Sequence, residues 1–293
     1  MNWKQLFIAV VGGDEREREI ARLAAGTGAS VRAFGFPWPD GGIAGVTLAA
    51  DARAALDGAD FALFPIPGVG NDGSLFATET IVPDADLLSA LKPGAHIIMG
   101  TADAAVKAVA LDLGLGLHEY ESDQELMLLR MPAIVEAAIK VVIENTDVTI
   151  HKSTIGVVGY GNTGGMLTRT LVLLGARVKL FARNPVQRAD GHTVGADAHP
   201  LDDLGALAGG LDVLLSTVPA SVVTAAVLDA LPRHAFVADL SAPPGGVDLD
   251  HARAIGLKAV WARALGRRAP VTVGASQWKG IRERIEKIKG DAQ

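Results

Sequence analysis

Cysteine is absent from this sequence, which excludes disulfides, zinc–thiolate sites and thiol nucleophiles. Aromatic residues are few at 5%, so any core must be built from aliphatic side chains. Positive charge is in deficit: 27 Lys and Arg face 33 Asp and Glu, a net charge of -6. A chain without a basic face cannot neutralise a phosphate backbone, and a nucleic-acid partner is not expected. The basic residues over 279–289 alternate with Glu283 and Glu286 and read as the solvated side of a terminal helix. No run reaches the roughly 18 uncharged apolar residues of a membrane span; the stretch 131–143 is interrupted by Glu136 and Lys140. The opening Met1-Asn2-Trp3-Lys4-Gln5 lacks the basic flank, long apolar run and cleavage site of a signal peptide. A cytoplasmic protein with no membrane partner and no metal is expected.

What the sequence has in quantity is small aliphatic residues. Hydrophobic residues make up 49% of the 293, mostly Ala, Val and Leu, a mixture suited to parallel strands covered by helices. The length implies two domains. Strands are expected over 6–11, 30–34, 61–64, 96–99 and 115–118, alternating with helical stretches. Gly12-Gly13 turns the chain after the first strand. Asp14 and Glu17 then form a capping box for a helix striped by Ile20, Leu23 and Ala24. Over 123–145 the period is helical but contains Pro132, where a break or kink is expected. A second α/β unit begins at Thr154 and runs to about Trp261. The fold class is α/β: two Rossmann-like domains with mostly parallel sheets, joined by interdomain helices. The expected boundaries are 1–130 for a substrate or catalytic domain, 131–150 for an interdomain helix and linker, and 151–273 for a nucleotide-binding Rossmann domain. The final helix, 274–293, is expected to pack back on the first domain.

The motif richest in chemistry is Gly159-Tyr160-Gly161-Asn162-Thr163-Gly164, a G-x-G-x-x-G between a buried strand and a helix carrying Leu167, Leu171 and Leu174. Gly159 makes the tight turn, Gly161 admits a pyrophosphate against bare backbone, and Gly164 lets helix and strand pack closely. The helix N-terminus offers orphan amides and a positive dipole end to phosphates. A second strand over 178–181 ends in Ala182-Arg183-Asn184, where an NAD site would keep an Asp or Glu for the ribose hydroxyls. A carboxylate repels a 2′-phosphate, whereas a guanidinium pairs with it, so NADP is the expected cofactor, held by Arg183 with Asn184 and Arg188 nearby. Thr217, Val218 and Pro219 end one later strand and Ser241 follows the next. Both places fall where a doubly wound sheet puts its ligand crevice.

In order along the chain, Val10-Val11-Gly12-Gly13-Asp14 with Arg16, Phe36, Gly45-Val46-Thr47, Asn145-Thr146-Asp147-Val148-Thr149-Ile150-His151, the glycine motif, Ala182-Arg183, Thr217-Val218-Pro219-Ala220 and Pro244-Gly245-Gly246-Val247-Asp248 resemble the dipicolinate synthase A-subunit family nearly end to end. That resemblance implies NADP-linked oxidation of dihydrodipicolinate, or of a related small carboxylated cyclic substrate, in sporulation, and partnership with a B subunit. The segment 129–136, Pro243 and the segment 263–267 depart from the family pattern, and they lie where substrate chemistry is expected.

No motif names the general acid or base. Arg16, His118, Glu136 and Arg263 are candidate catalytic residues, and Arg130, Arg267 and Arg268 are further candidates for a substrate carboxylate. Each also reads as a structural or surface residue. The leading expectation is an NADP-dependent oxidoreductase. The alternative is a non-catalytic NADP(H)-binding protein, either a cofactor-holding subunit or a redox sensor. Homo-oligomerisation is expected, through the apolar stretch 132–143.

Overall fold

The strands follow the apolar runs closely, because residues of each run face two different cores. The computed structural model describes residues 1–291, and these divide into two units: 1–130 with the chain from Ala269 onward, and 131–268. The first unit contains β1 (Phe7–Val11), α1 (Glu15–Gly26), β2 (Ser30–Phe34), β3 (Val46–Leu48), α2 (Ala52–Leu56), β4 (Phe61–Leu63), α3 (Ala85–Leu88), β5 (His96–Met99), α4 (Ala104–Asp112) and β6 (Gly116–Glu119). Helix α5 (Gln124–Asn145) runs from the first unit into the second. The second unit continues with β7 (Thr154–Val158), α6 (Asn162–Leu173), β8 (Arg177–Phe181), α7 (Pro185–Thr193), β9 (Asp197–His199), α8 (Leu204–Leu207), β10 (Val213–Ser216), α9 (Ala225–Asp229), β11 (Phe236–Asp239), α10 (Leu249–Ala254) and β12 (Lys258–Trp261). Helix α11 (Pro270–Asp291) returns to the first unit. Of the helix expected over 274–293, Ala292 and Gln293 lie outside the described residues.

Both units carry the same sheet. The strand orders are β3-β2-β1-β4-β5-β6 and β9-β8-β7-β10-β11-β12, and every pairing between these strands is parallel. This is the doubly wound α/β arrangement expected from the sequence, with a switch point beside β1 and another beside β7. The alternation along a strand divides it between two cores. Ile8 and Val10 of β1 join Ile20 and Val31 on one face, and Ala9 and Val11 join Leu56 and Ile97 on the other. Ile155 and Val157 of β7 pack with Leu167 and Leu180, while Val158 packs with Leu214 and Val237 behind. Each such aliphatic side chain contributes about 1.5–3 kcal/mol by burial.

Helix starts are set by side chains that bond the first amides. Asp14, Asp51, Asp84 and Asp103 cap α1 to α4 in this way. The break or kink expected at Pro132 is not a break: α5 continues through it as one α-helix. The proline removes only the bond to the Leu128 carbonyl, and Leu128 is exposed, so water can serve that oxygen. The stretch 132–143 also differs from expectation. Val135, Ala138 and Val142 are buried in the second unit's own core rather than offered to another chain.

Helix α11 lies against α1 because it has glycine at the contact. A Cβ added at Gly274 would stand 2.6 Å from the Arg16 carbonyl oxygen and 2.8 Å from Glu19 Cβ. Trp278 packs on Trp3 with ring centroids 5.9 Å apart. Gly274→Ala should therefore lower unfolding stability by about 1–3 kcal/mol. Gly26→Ala, at a helical site with nothing within 4 Å, should be neutral or stabilising. Urea unfolding of both variants checks the difference, and equal midpoints would contradict it.

Candidate functional site

Equivalent positions in the two sheets, the turns after β1 and β7, have opposite chemistry. At α1 the positive helix end is filled by the protein's own carboxylates. Asp14 accepts from the Arg16 amide at 3.0 Å, and Glu17 Oε2 accepts from the Asp14 amide at 2.7 Å. Arg16 clamps Asp14 with Nε and Nη2, both at 2.8 Å. Arg16, a candidate for a substrate carboxylate, is thus buried and engaged with its own chain. Glu17 Oε1 is buried without a partner, and desolvation pushes the carboxyl up to about 7 against the opposing pull of Arg16.

At α6 no side chain fills the helix end. The N-cap is Gly161, which makes no side-chain cap, and a Cβ there would meet nothing within 4 Å. The amides of the first turn therefore keep their demand for acceptors. The flanking glycines are forced by packing. Gly159 has φ +94°, and its Cβ would lie 2.6 Å from Thr217 Oγ1 and 2.7 Å from Val218 Cγ2. A Cβ on Gly164 would overlap the Gly159 carbonyl oxygen. Thr217 locks the neighbouring strand end by donating its hydroxyl to the Val158 carbonyl at 2.9 Å. Bare backbone, an uncapped helix and an adjacent crevice fit a pyrophosphate.

The crevice has a volume of about 370 Å³. Gly159, Tyr160, Gly161, Thr217, Val218 and Pro219 form one part of its wall, and Arg183 with Asn184 another. Asn162 and Thr163 open α6, and the Thr163 hydroxyl lies 3.4 Å from Met131 Sδ. Tyr160 donates its hydroxyl to Asp190 on α7 at 2.8 Å. Asn184 caps α7 by accepting from the Val186 amide. Arg183 is exposed and has no ion pair with any described residue. Arg188 is directed elsewhere than expected: its Nη1 donates to the carbonyls of Ala182 and Arg183 at 2.9 and 2.7 Å. Ser241 does not line the crevice. It is buried and donates to Asp239 Oδ1 at 2.6 Å. Phe181, Ala182, Gln187 and Leu201 complete the wall. Gln187 stands one turn after Asn184 and was within reach of helical spacing, whereas Leu201 depends on the short edge strand β9.

The other catalytic candidates are not brought together. His118, half-buried on β6, places Nε2 3.1 Å from Nδ1 of His96, and burial holds both imidazoles below the ordinary histidine range. Glu136 is exposed and paired with Arg268 at 2.9 Å. Arg263 is exposed, with its guanidinium 5.0 Å above the Trp261 ring. Arg130 is held by Glu121 at 2.6 and 2.9 Å.

Residues 7–121 match the N-terminal domain of the dipicolinate synthase A subunit. Over 273 residues the chain is 29% identical to the dipicolinate synthase A subunit of Bacillus subtilis (strain 168), covering 92% of each. The crystal structure of the dipicolinate synthase A subunit from Bacillus halodurans superposes with a TM-score of 0.86 at 28% identity, over 97% of this chain and 98% of that one. The chain belongs to the dipicolinate synthase A-subunit family. More distantly, D-lactate dehydrogenase of Escherichia coli shares the fold of this family member, with a TM-score of 0.63 at 14% identity over 97% of this chain and 98% of that one.

The buried carboxyl of Glu17 gives a pH test of the closed helix end. A carboxyl raised from 4.5 to about 7 stabilises the fold fully below 4.5, and that contribution is lost as pH rises through about 7. Glu17→Gln should match the wild type near pH 4.5 and gain on it progressively up to neutrality. A stability difference that does not change with pH, in urea titrations, would contradict this.

Proposed function

We propose that this chain is an NADP-dependent oxidoreductase that oxidises dihydrodipicolinate or a related small carboxylated cyclic substrate. The observation that carries the reading is the uncapped N-terminus of α6, beneath bare Gly161, in a crevice whose far wall ends on Arg183. The names of its relatives supply the substrate class and a B-subunit partner, and cytoplasmic action during sporulation goes with them. Residues 1–130 supply the substrate-binding part and the second unit the cofactor.

Oxidation of the substrate removes a hydride and a proton. Bound nicotinamide supplies the hydride acceptor. The chain's own part is to seat the pyrophosphate on the α6 amides, to hold the strand ends at Thr217 and Val218, and to meet the 2′-phosphate with Arg183. No carboxylate stands at the end of β8 to repel that phosphate, since the segment reads Phe181-Ala182-Arg183-Asn184. A non-catalytic NADP-binding role competes with this reading, and one observation favours it. Arg16, Glu136 and Arg130 are already engaged by their own chain.

A charge-assisted contact to the 2′-phosphate is worth about 1.5–3 kcal/mol, roughly ten- to a hundredfold in affinity. NADPH should bind at least about tenfold tighter than NADH. Arg183→Ala should remove most of that preference with NADH binding little changed. Calorimetric titration of both cofactors measures it, and equal wild-type affinities would overturn the NADP assignment. Reduction of NADP by dihydrodipicolinate, assayed with and without the B-subunit partner, separates the enzyme from the competing role. Tight NADPH binding with no turnover in either case would favour the latter.

A further inference from the structure

We propose that Arg188 is a positioning residue for cofactor choice: it sets the preference for NADP over NAD by fixing the backbone that carries Arg183, not by touching the phosphate. The inference rests on the NADP reading above and assigns a means to it. Arg183 sits in a three-residue link, Ala182-Arg183-Asn184, between the end of β8 and the first residue of α7. A guanidinium on so short a link is useful only if its Cα is held still, because lost side-chain and loop freedom subtracts from the affinity gained.

The link is held at every point. The Ala182 amide donates to the His199 carbonyl at 3.1 Å, which ties its start to β9. Asn184 is set at φ -79° and ψ 122° as the N-cap, the extended conformation that the following Pro185 requires. Between these two, the carbonyls of Ala182 and Arg183 have one donor in common, Nη1 of Arg188. Arg188 stands on α7, so it can fix the link only if α7 is itself fixed. Asp190, half a turn further along, does this. Its Oδ2 accepts from the Tyr160 hydroxyl of the glycine loop and from Arg169 Nη2 of α6, both at 2.8 Å. The glycine loop, α6, α7 and the Arg183 link thus form one connected frame. Pyrophosphate and 2′-phosphate are to be met at its two ends. The frame holds the backbone of Arg183 and leaves its side chain without an ion pair among the described residues.

A group acting through Arg183 and a group acting on the phosphate give different double-mutant results. The test compares NADPH and NADH dissociation constants for wild type, Arg183→Ala, Arg188→Met and the double variant, with thermal unfolding to confirm that each is folded. Arg188→Ala replaces Arg188→Met if the latter is unstable. Arg188→Met alone should lower the NADPH preference at least about threefold, mostly through NADPH. In the Arg183→Ala background it should lower it no further. A double variant that loses the full product of the two single effects would place Arg188 on the phosphate and overturn the proposal. So would an Arg188→Met protein with unchanged preference while Arg183→Ala has lost it. If Arg183→Ala itself leaves the preference unchanged, the NADP reading fails first.

Discussion

Backbone amides at a helix start must find acceptors, and this chain answers that requirement in two ways at two equivalent places. At α1 the acceptors are the carboxylates of Asp14 and Glu17, reinforced by Arg16. At α6 the N-cap is a glycine with no oxygen to offer. The two sheets have the same strand order, so topology alone would allow a nucleotide at either switch point. A phosphate brought to α1 would meet two carboxylates in place of free amides. The difference between the units therefore lies in a few side chains at one turn, and it assigns the cofactor to the second unit.

The open helix end needs support that does not intrude on it. Gly159 and Gly164 let the turn close against Thr217 and Val218, and the Thr217 hydroxyl ties that strand end to β7. Behind them Asp239 accepts from the amides of Ser241, Gly246 and Val247, at 3.0, 2.7 and 3.2 Å, and from the Ser241 hydroxyl. The loop so held approaches the Val218 and Ala220 carbonyls so closely that Gly246 has no room for a Cβ. Ser241 thus contributes to the site by supporting its wall from within.

The parts legible in the sequence were those with a local cause. Buried central strands such as β1, β5 and β7 announce themselves as continuous apolar runs, and Asp14 with Glu17 is a capping box in sequence and structure alike. The edge strands β3 and β9 have three residues each and little apolar content, so no periodicity marks them, and Leu201 in the crevice wall was missed with β9. Side-chain direction was less legible still. Spacing placed Arg188 near the 2′-phosphate position, but its use on two carbonyls depends on where the β8–α7 link runs. Arg16 and Glu136 had the right chemistry for a substrate carboxylate or proton transfer. Their partners, Asp14 and Arg268, are two and 132 residues away, and only the first lies within reach of pattern reasoning.

Gly161 offers the most direct test of the open helix end, because folding and binding make opposite demands on it. A Cβ there meets no protein atom, so Gly161→Ala should keep the wild-type thermal midpoint. The same methyl would stand before the amides that receive the pyrophosphate, and NADPH affinity should fall at least about tenfold. Calorimetric titration of NADPH into the folded variant measures this. Wild-type affinity in a fully folded Gly161→Ala protein would contradict the placement of the cofactor on α6.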